Sequence, residues 1–420
     1  MAYSPGILSG VSTEDKQNVG NSSLADIDGK LPVATDAFGR FRVSSPETIF
    51  DSKLLFDSGS LFWDDQETSG SGTASTHSTN SASVTLAVSG LTSGTRVRQS
   101  KRRFNYQSGK SMLVMMTGIL GVGGNGIISR IGFFDGNNGL FFENNAGVAK
   151  VVRRTKVSGS SVDITVAQTS WNLDPMDGTG NSGVTLNLDN VQIFVIDFEW
   201  LGSGRVRFGF NIAGETVYCH QMLNANVLST VYMSTPNLPV RYEISNDGSG
   251  ALSSVVQICS TVMSEGGQQD TAFSRYASTN GTHLNADVAD TVYALIGIRL
   301  KSAYIGATVN PTLFSIISET NDDFEWLFIF NPTVAGIFTY VDESVGATQI
   351  ARGATENTVT GGTPIFGGWV KSSQPLVIEI KNALVLGSFI NGTVDTFVLC
   401  VRPLSANADI QGSVQWRELL

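Results

Sequence analysis

From about residue 46 onward the chain alternates short apolar runs with clusters of Gly, Asn, Asp and Ser, and no other feature constrains its fold as tightly. Runs such as "ASVTLAV", "QIFVIDF" and "EWLFIF" have strand length and end in turn chemistry. Long Ala/Glu/Lys/Leu stretches with a 3.6-residue period are absent. The pattern therefore predicts an all-β chain. Apolar residues make up 41% and charged residues only 15%, enough to build packed cores rather than a disordered polymer. At 420 residues the chain is too long for one typical core, so more than one domain is expected.

Residues 1–45 differ from the rest. They are polar, punctuated by glycine and weakly periodic, with Leu31, Val33, Phe38 and Phe41 as scattered apolar anchors. Such a segment buries little surface alone. It reads either as a loose terminus or as an extended arm that docks on a neighbouring subunit. Residues 46–265 read as a larger β-sandwich, 266–285 as a polar linker, and 286–420 as a second sandwich with turns at a spacing of roughly 10 to 15 residues. The expected architecture is two jelly-roll or concanavalin-like sandwiches behind an extended N-terminal arm. No fixed-period repeat is visible, which disfavours a propeller or solenoid.

The stretch "VQIFVIDFEWLGSGRVRFGF", residues 191–210, raises a catalytic question. Side chains two apart on a strand share a face, so Asp197 and Glu199 point the same way as Val195. Laminarinase-type glycosidases carry Glu-x-Asp-x-Glu on one strand, with the outer carboxylates as nucleophile and acid. Here Val195 stands where the nucleophile is required. Phe194, Ile196, Phe198 and Trp200 fill the opposite face, as core does. Arg205 and Arg207, across the "LGSG" turn, are natural cross-strand partners for the two carboxylates. The four charged residues are thus expected to be structural or interfacial, and no catalytic residue is assigned.

Other candidate chemistry is thinner. The loop "WNLDPMDGTGNSG" places Trp171 beside Asp174 and Asp177. An aromatic face with carboxylates suits a sugar ring or, loosely, Ca²⁺, although the bidentate acid of a Ca²⁺ loop is missing. It is carried forward as a candidate ligand site. His77, His220 and His283 lie far apart, and Cys219 next to His220 faces the other way on a strand. Cys219, Cys259 and Cys400 are odd in number and form no CxxC, so neither a disulfide framework nor a metal site is expected, and no cofactor. The Gly-rich "GVGGNG" lacks a P-loop lysine. The cationic segments at residues 96–106 and 150–156 suit a solvated strand face or ion pairs. With a net charge of −10 and a pI near 4.8, the chain is not expected to bind nucleic acid.

No apolar run approaches the ~18 residues of a membrane span, and the start shows no signal-peptide pattern. The expectation is a protein made in a cytoplasm, without a visible secretion signal and without a membrane partner.

Several long segments carry a family resemblance. "TDAFGRFRVSSPETIFDSKLLFDSGSLFWDDQETSGSGT", "WNLDPMDGTGNSGVTLNLDNVQIFVIDFEWLGSGRVRFGFNIAGETVYCHQ", "STVYMSTPNLPVRYEI" and "VRPLSANADIQGSVQWREL" resemble a group of virion-associated proteins of tailed phages and other large DNA viruses. The resemblance implies a non-enzymatic virion component with a lectin-like sandwich, assembled as a homo-oligomer. A tail, baseplate or fibre position is expected, with capsid decoration or a head fibre as the alternative. The N-terminal arm is then the contact to other virion proteins, and a host surface glycan is a candidate partner. The rival reading is a glycan-binding or glycan-cleaving module.

Overall fold

The computed structural model describes residues 45–121, 123–342, 345–371, 375–380, 384–405 and 407–420. The arm expected over residues 1–45 lies outside the described residues, save Ser45. The chain is all-β, with 55% of residues in strands. Residues 47–420 form one compact unit.

Fifteen strands build the first sandwich: β1 (Pro46–Lys53), β2 (Trp63–Gly70), β3 (Thr73–Ser78), β4 (Ser83–Val88), β5 (Ser93–Ser100), β6 (Ser111–Ile119), β7 (Ile127–Phe134), β8 (Gly139–Asn145), β9 (Val148–Thr155), β10 (Val162–Ala167), β11 (Gln192–Phe198), β12 (Val206–Ile212), β13 (Glu215–Met222), β14 (Val240–Asp247) and β15 (Ser253–Glu265). One sheet has the order β13-β12-β11-β6-β15-β4-β3, with β1 also on β15. The facing sheet has the order β10-β9-β8-β7-β14-β5-β2. The strand rhythm works through period-two burial. In β6, Met112, Val114 and Met116 are buried while Leu113 and Met115 between them are half-buried. The continuous apolar run of that strand thus has one core face and one partly covered face.

The core between the sheets is rich in aromatics. Phe142 of one sheet packs on Phe194, Phe208 and Phe210 of the other, with centroids 5.0 to 5.5 Å apart. Full burial of a Phe side chain contributes roughly 1.5–3 kcal/mol. A cation enters this core at Arg98. Arg98 is 2% exposed, lies over the Trp63 ring and bonds Gln257 of the facing sheet.

The second sandwich uses β16 (Phe273–Ser278), β17 (Leu284–Ala286), β18 (Tyr293–Leu300), β19 (Thr308–Ser318), β20 (Phe324–Phe330), β21 (Thr333–Val334), β22 (Thr348–Arg352), β23 (Val359–Thr360), β24 (Thr363–Val370), β25 (Leu376–Glu379), β26 (Thr396–Pro403) and β27 (Ala408–Leu419). Its sheets run β16-β27-β19-β25, with β17 also on β27, and β22-β18-β26-β20-β24, while β21 and β23 pair separately. The linker expected at 266–285 is therefore corrected: most of it belongs to this sandwich. β16 pairs with β27 from Phe273↔Glu418 to Ser278↔Ser413, and β17 follows on the same strand. An edge strand has one neighbour and little to bury, so β16 carries a polar sequence and leaves Phe273 and Tyr276 exposed.

The sandwiches meet through the loop between β25 and β26. Ser388 donates its N–H to the Lys101 carbonyl at 2.9 Å, and Ile390 donates its N–H to Asp64 Oδ2 at 2.7 Å. Arg103 Nη1 donates to Ser388 Oγ at 2.7 Å. Gly387 permits this approach, because a Cβ there would lie 2.4 Å from the Lys101 carbonyl oxygen.

Candidate functional site

The outer face of the seven-stranded sheet holds the densest polar chemistry among the described residues. Alternation sends Arg130 of β7, Glu143 of β8 and Glu243 of β14 to this face. The register then aligns Glu243↔Arg130 and Arg130↔Glu143, with Glu143↔Lys150 continuing the row onto β9. Arg130 Nε donates to Glu143 Oε2 at 2.8 Å, and its Nη1 donates to Glu243 Oε1. Arg241 Nε donates to the second Glu243 oxygen at 3.0 Å.

The adjacent row is apolar. Phe134 and Phe141 have ring centroids 4.3 Å apart and, with Val152, form a buried cluster on the outer face. Two glycines make room for it. A Cβ on Gly132 would meet Phe141 Cβ at 2.3 Å, and one on Gly139 would meet Phe134 Cβ at 1.9 Å. Guanidinium groups cover the rings: Arg241 over Phe134 at 5.3 Å, and Arg154 and Arg130 over Phe141 at 5.1 and 5.7 Å. Arg154 is in turn held by Asp163, with Nε to Oδ1 at 2.7 Å and Nη2 to Oδ2 at 2.8 Å.

This arrangement fixes the charge state of Glu243. Burial pushes its carboxyl up, but Arg241 and Arg130 outweigh burial and bring it to about 2. A carboxylate ionised at all physiological pH cannot serve as a general acid. Retaining hydrolysis also needs two carboxyl groups about 5–5.5 Å apart with a sugar between them. Here β7 separates the strands of Glu143 and Glu243, and Arg130 fills the gap. The bridging arginine and its two carboxylates hold the three strands in register.

The residues singled out from sequence fall elsewhere. Asp197 lies on the outer face of the eight-stranded sheet, opposite Arg207, and the two form an ion pair. Asp197 also accepts from the Tyr218 hydroxyl at 2.9 Å, and Arg207 lies over the Tyr218 ring at 4.1 Å. Phe194, Ile196 and Phe198 are core, with Trp200 packed against it. Glu199 sits beyond the end of β11, in the turn, and its Oε1 accepts the Arg205 backbone N–H at 3.4 Å. The Glu199–Arg205 contact is therefore to backbone, not between side-chain charges.

The Trp171 sugar platform is corrected. Trp171 is only 7% exposed, belongs to the core, and donates Nε1–H to the Val166 carbonyl at 3.3 Å. Its ring has no free face for a sugar. Asp174 accepts the N–H groups of Met176 at 2.8 Å and Ser182 at 2.9 Å, and Asp177 accepts from Thr179. Both carboxylates organise their own loop, as Asp does in turns. Burial pushes Asp174 up, and the Ser182 and Met176 amides outweigh it, leaving its carboxyl below the ordinary range.

Cys219 is buried and its thiol donates to the Phe208 carbonyl, while His220 Nδ1 accepts the Asn172 N–H at 3.3 Å, so the two do not act as a pair. Among the described residues no group of three His, Cys, Asp or Glu side chains is placed to hold a metal ion, and no helix is long and apolar enough to cross a membrane. Cations of the 96–106 segment are drawn into the fold, Arg96 on Asp65 at 2.6 Å and Arg103 on Asp135 at 3.2 Å, while Lys156 of the second segment stays exposed.

No family model matches the chain, and no curated protein is similar to it. Solved structures similar to it include the CBM2 module of the evolved Dit of Lactobacillus casei BL23 phage J-1, at 7% identity over 54% of this chain and 100% of that one, with a TM-score of 0.35. A legume lectin-like domain from Entamoeba histolytica is similar at 9% identity over 51% of this chain and 95% of that one, TM-score 0.31. A glycoside hydrolase family protein from Mycobacterium thermorestibile is similar at 12% identity over 51% of this chain and 99% of that one, TM-score 0.35. Scores this low assign the chain neither a family nor a function.

Proposed function

We propose that the chain is a non-enzymatic structural component of a virion, of the tailed-phage class that its sequence resembles. In this reading the two sandwiches are rigid building blocks that assemble as a homo-oligomer, with residues 1–45 as the contact to other virion proteins and a tail, baseplate or fibre position. One observation carries the non-enzymatic part. On β11, the strand the glycosidase comparison singles out, Val195 stands where a nucleophile is required and Asp197 is tied to Arg207 and the Tyr218 hydroxyl.

Copy number per purified particle, measured by quantitative mass spectrometry, tests the role. A few tens of copies or fewer is the expected result. A number near that of the major capsid protein would move the chain to capsid decoration, and its absence from particles would overturn the virion reading. Release of reducing ends from host polysaccharide by the purified wild type would overturn the non-enzymatic part.

A further inference from the structure

Beside the arginine-covered face, where the two sandwiches meet, lies a cleft of about 530 Å³. That volume falls within the range of small-molecule sites, and domain junctions are where such sites concentrate. We propose that this cleft binds a neutral oligosaccharide. The inference goes beyond the assembly role and does not depend on it, since binding is read on the purified chain.

The first argument is charge. Arg103 and Arg241 line the cleft together with Asp135 and Glu67, so cations and anions balance. The guanidinium of Arg103 is engaged by Asp135 at 3.2 Å, and that of Arg241 by Glu243 at 3.0 Å. A phosphate or an acidic sugar would find no uncommitted positive charge here, whereas a neutral ligand loses nothing.

The second argument is hydrogen-bond chemistry. Side-chain amides from both sandwiches converge: Gln66, Gln99 and Asn137 from the first, Asn391 from the second. Two of them are oriented from behind. Gln66 Nε2 donates to Asp64 Oδ2 at 2.8 Å, and Gln99 Oε1 accepts from Arg241 Nη1 at 3.3 Å. Gln99 is 2% exposed, and the bond from Arg241 to its carbonyl oxygen turns its Nε2 to the other side of the amide. One amide thus presents an acceptor and its neighbour a donor. Sugar hydroxyls donate and accept at once and match such a pair. Asp64 also holds the Ile390 N–H, so the orienting carboxylate ties the second wall to the first.

The third argument separates a saccharide from a peptide. The only large apolar side chains on the lining are Ile305 and Ile390. They offer a small C–H surface for the face of a sugar ring, but no pocket to anchor a peptide side chain.

Gly136 gives the test. It lines the cleft, and a Cβ built on it meets nothing within 4 Å, so Gly136→Trp can fill the cleft without disturbing the core. The purified full chain would be applied to an array of neutral di- to tetrasaccharides of glucose, galactose, rhamnose and N-acetylglucosamine, with sialylated and uronic-acid glycans and a peptide array alongside. The expected result is binding of at least one neutral saccharide, insensitive to salt. Affinity should fall at least about tenfold in Gly136→Trp and severalfold in Asn137→Ala. Asn137→Ala, at an exposed loop position, keeps the test valid if the tryptophan variant misfolds. No bound neutral saccharide, binding confined to anionic glycans or peptides, or binding unchanged in the folded variants would each overturn the proposal.

Discussion

Each sheet of the first sandwich carries an arginine–carboxylate cluster on its outer face, and the two differ in depth. On the eight-stranded sheet, Asp197 pairs with one arginine across one hairpin, and the Arg207 side chain keeps 29% of its surface in water. On the seven-stranded sheet, Arg130 bridges carboxylates from the strands on either side of it, with Glu143 and Glu243 at 4% and 7% side-chain exposure. The first cluster decorates a local hairpin. The second locks the β7–β8 hairpin to β14, which comes from a distant part of the chain, in one register. Charge clusters alike in composition should therefore differ in what they do for stability.

The largest effect is expected at the bridge. Arg130→Ala leaves two buried carboxylates without their shared partner, and removing one side of a buried pair costs about 3–5 kcal/mol. Urea unfolding would show it as a lowered midpoint. A cost below about 1 kcal/mol would mean that the network is no deeper than the hairpin pair. Arg207→Ala should cost less, about 1–2 kcal/mol, between the ranges for exposed and buried pairs. Equal losses at Arg130 and Arg207 would break the comparison. Smallest of all, Glu199→Gln should leave the urea midpoint unchanged, since the amide oxygen can still accept the Arg205 N–H.

How much of this was legible in the sequence depends on how far apart the partners lie. Within one hairpin the reading is direct: alternation separates Phe194, Ile196 and Phe198 from Asp197, and the short turn sets Asp197 opposite Arg207. Across the sheet it fails. Glu143, Arg130 and Glu243 lie on three strands, and their alignment depends on β14 inserting next to β7, which no local pattern encodes. The clue was present in "RIGFFDGNNGLFFEN" and "VRYEISND", where charges alternate with buried aromatics on strands that have a core on one side only. Trp171 misleads for the opposite reason. A polar, Gly-rich loop looks exposed, yet this one folds back and tucks its indole under β10 and against Phe210. β16 leaves little trace in the sequence because edge strands need few apolar residues.

The claim that the arginine-bridged face is locked rests on the ionisation of Glu243. Its carboxyl is depressed from the ordinary 4.5 to about 2. The stabilisation this brings, on the order of 3 kcal/mol, is fully present above about pH 4.5. It is lost as the pH falls through about 2. Titration of the native chain by NMR, with ¹³C-carboxyl-labelled glutamate and Glu243→Gln to assign the signal, measures this directly. Glu243 should remain ionised to below about pH 3 while exposed glutamates protonate near their usual value. A Glu243 midpoint at or above 4.5 in the folded protein would contradict the account.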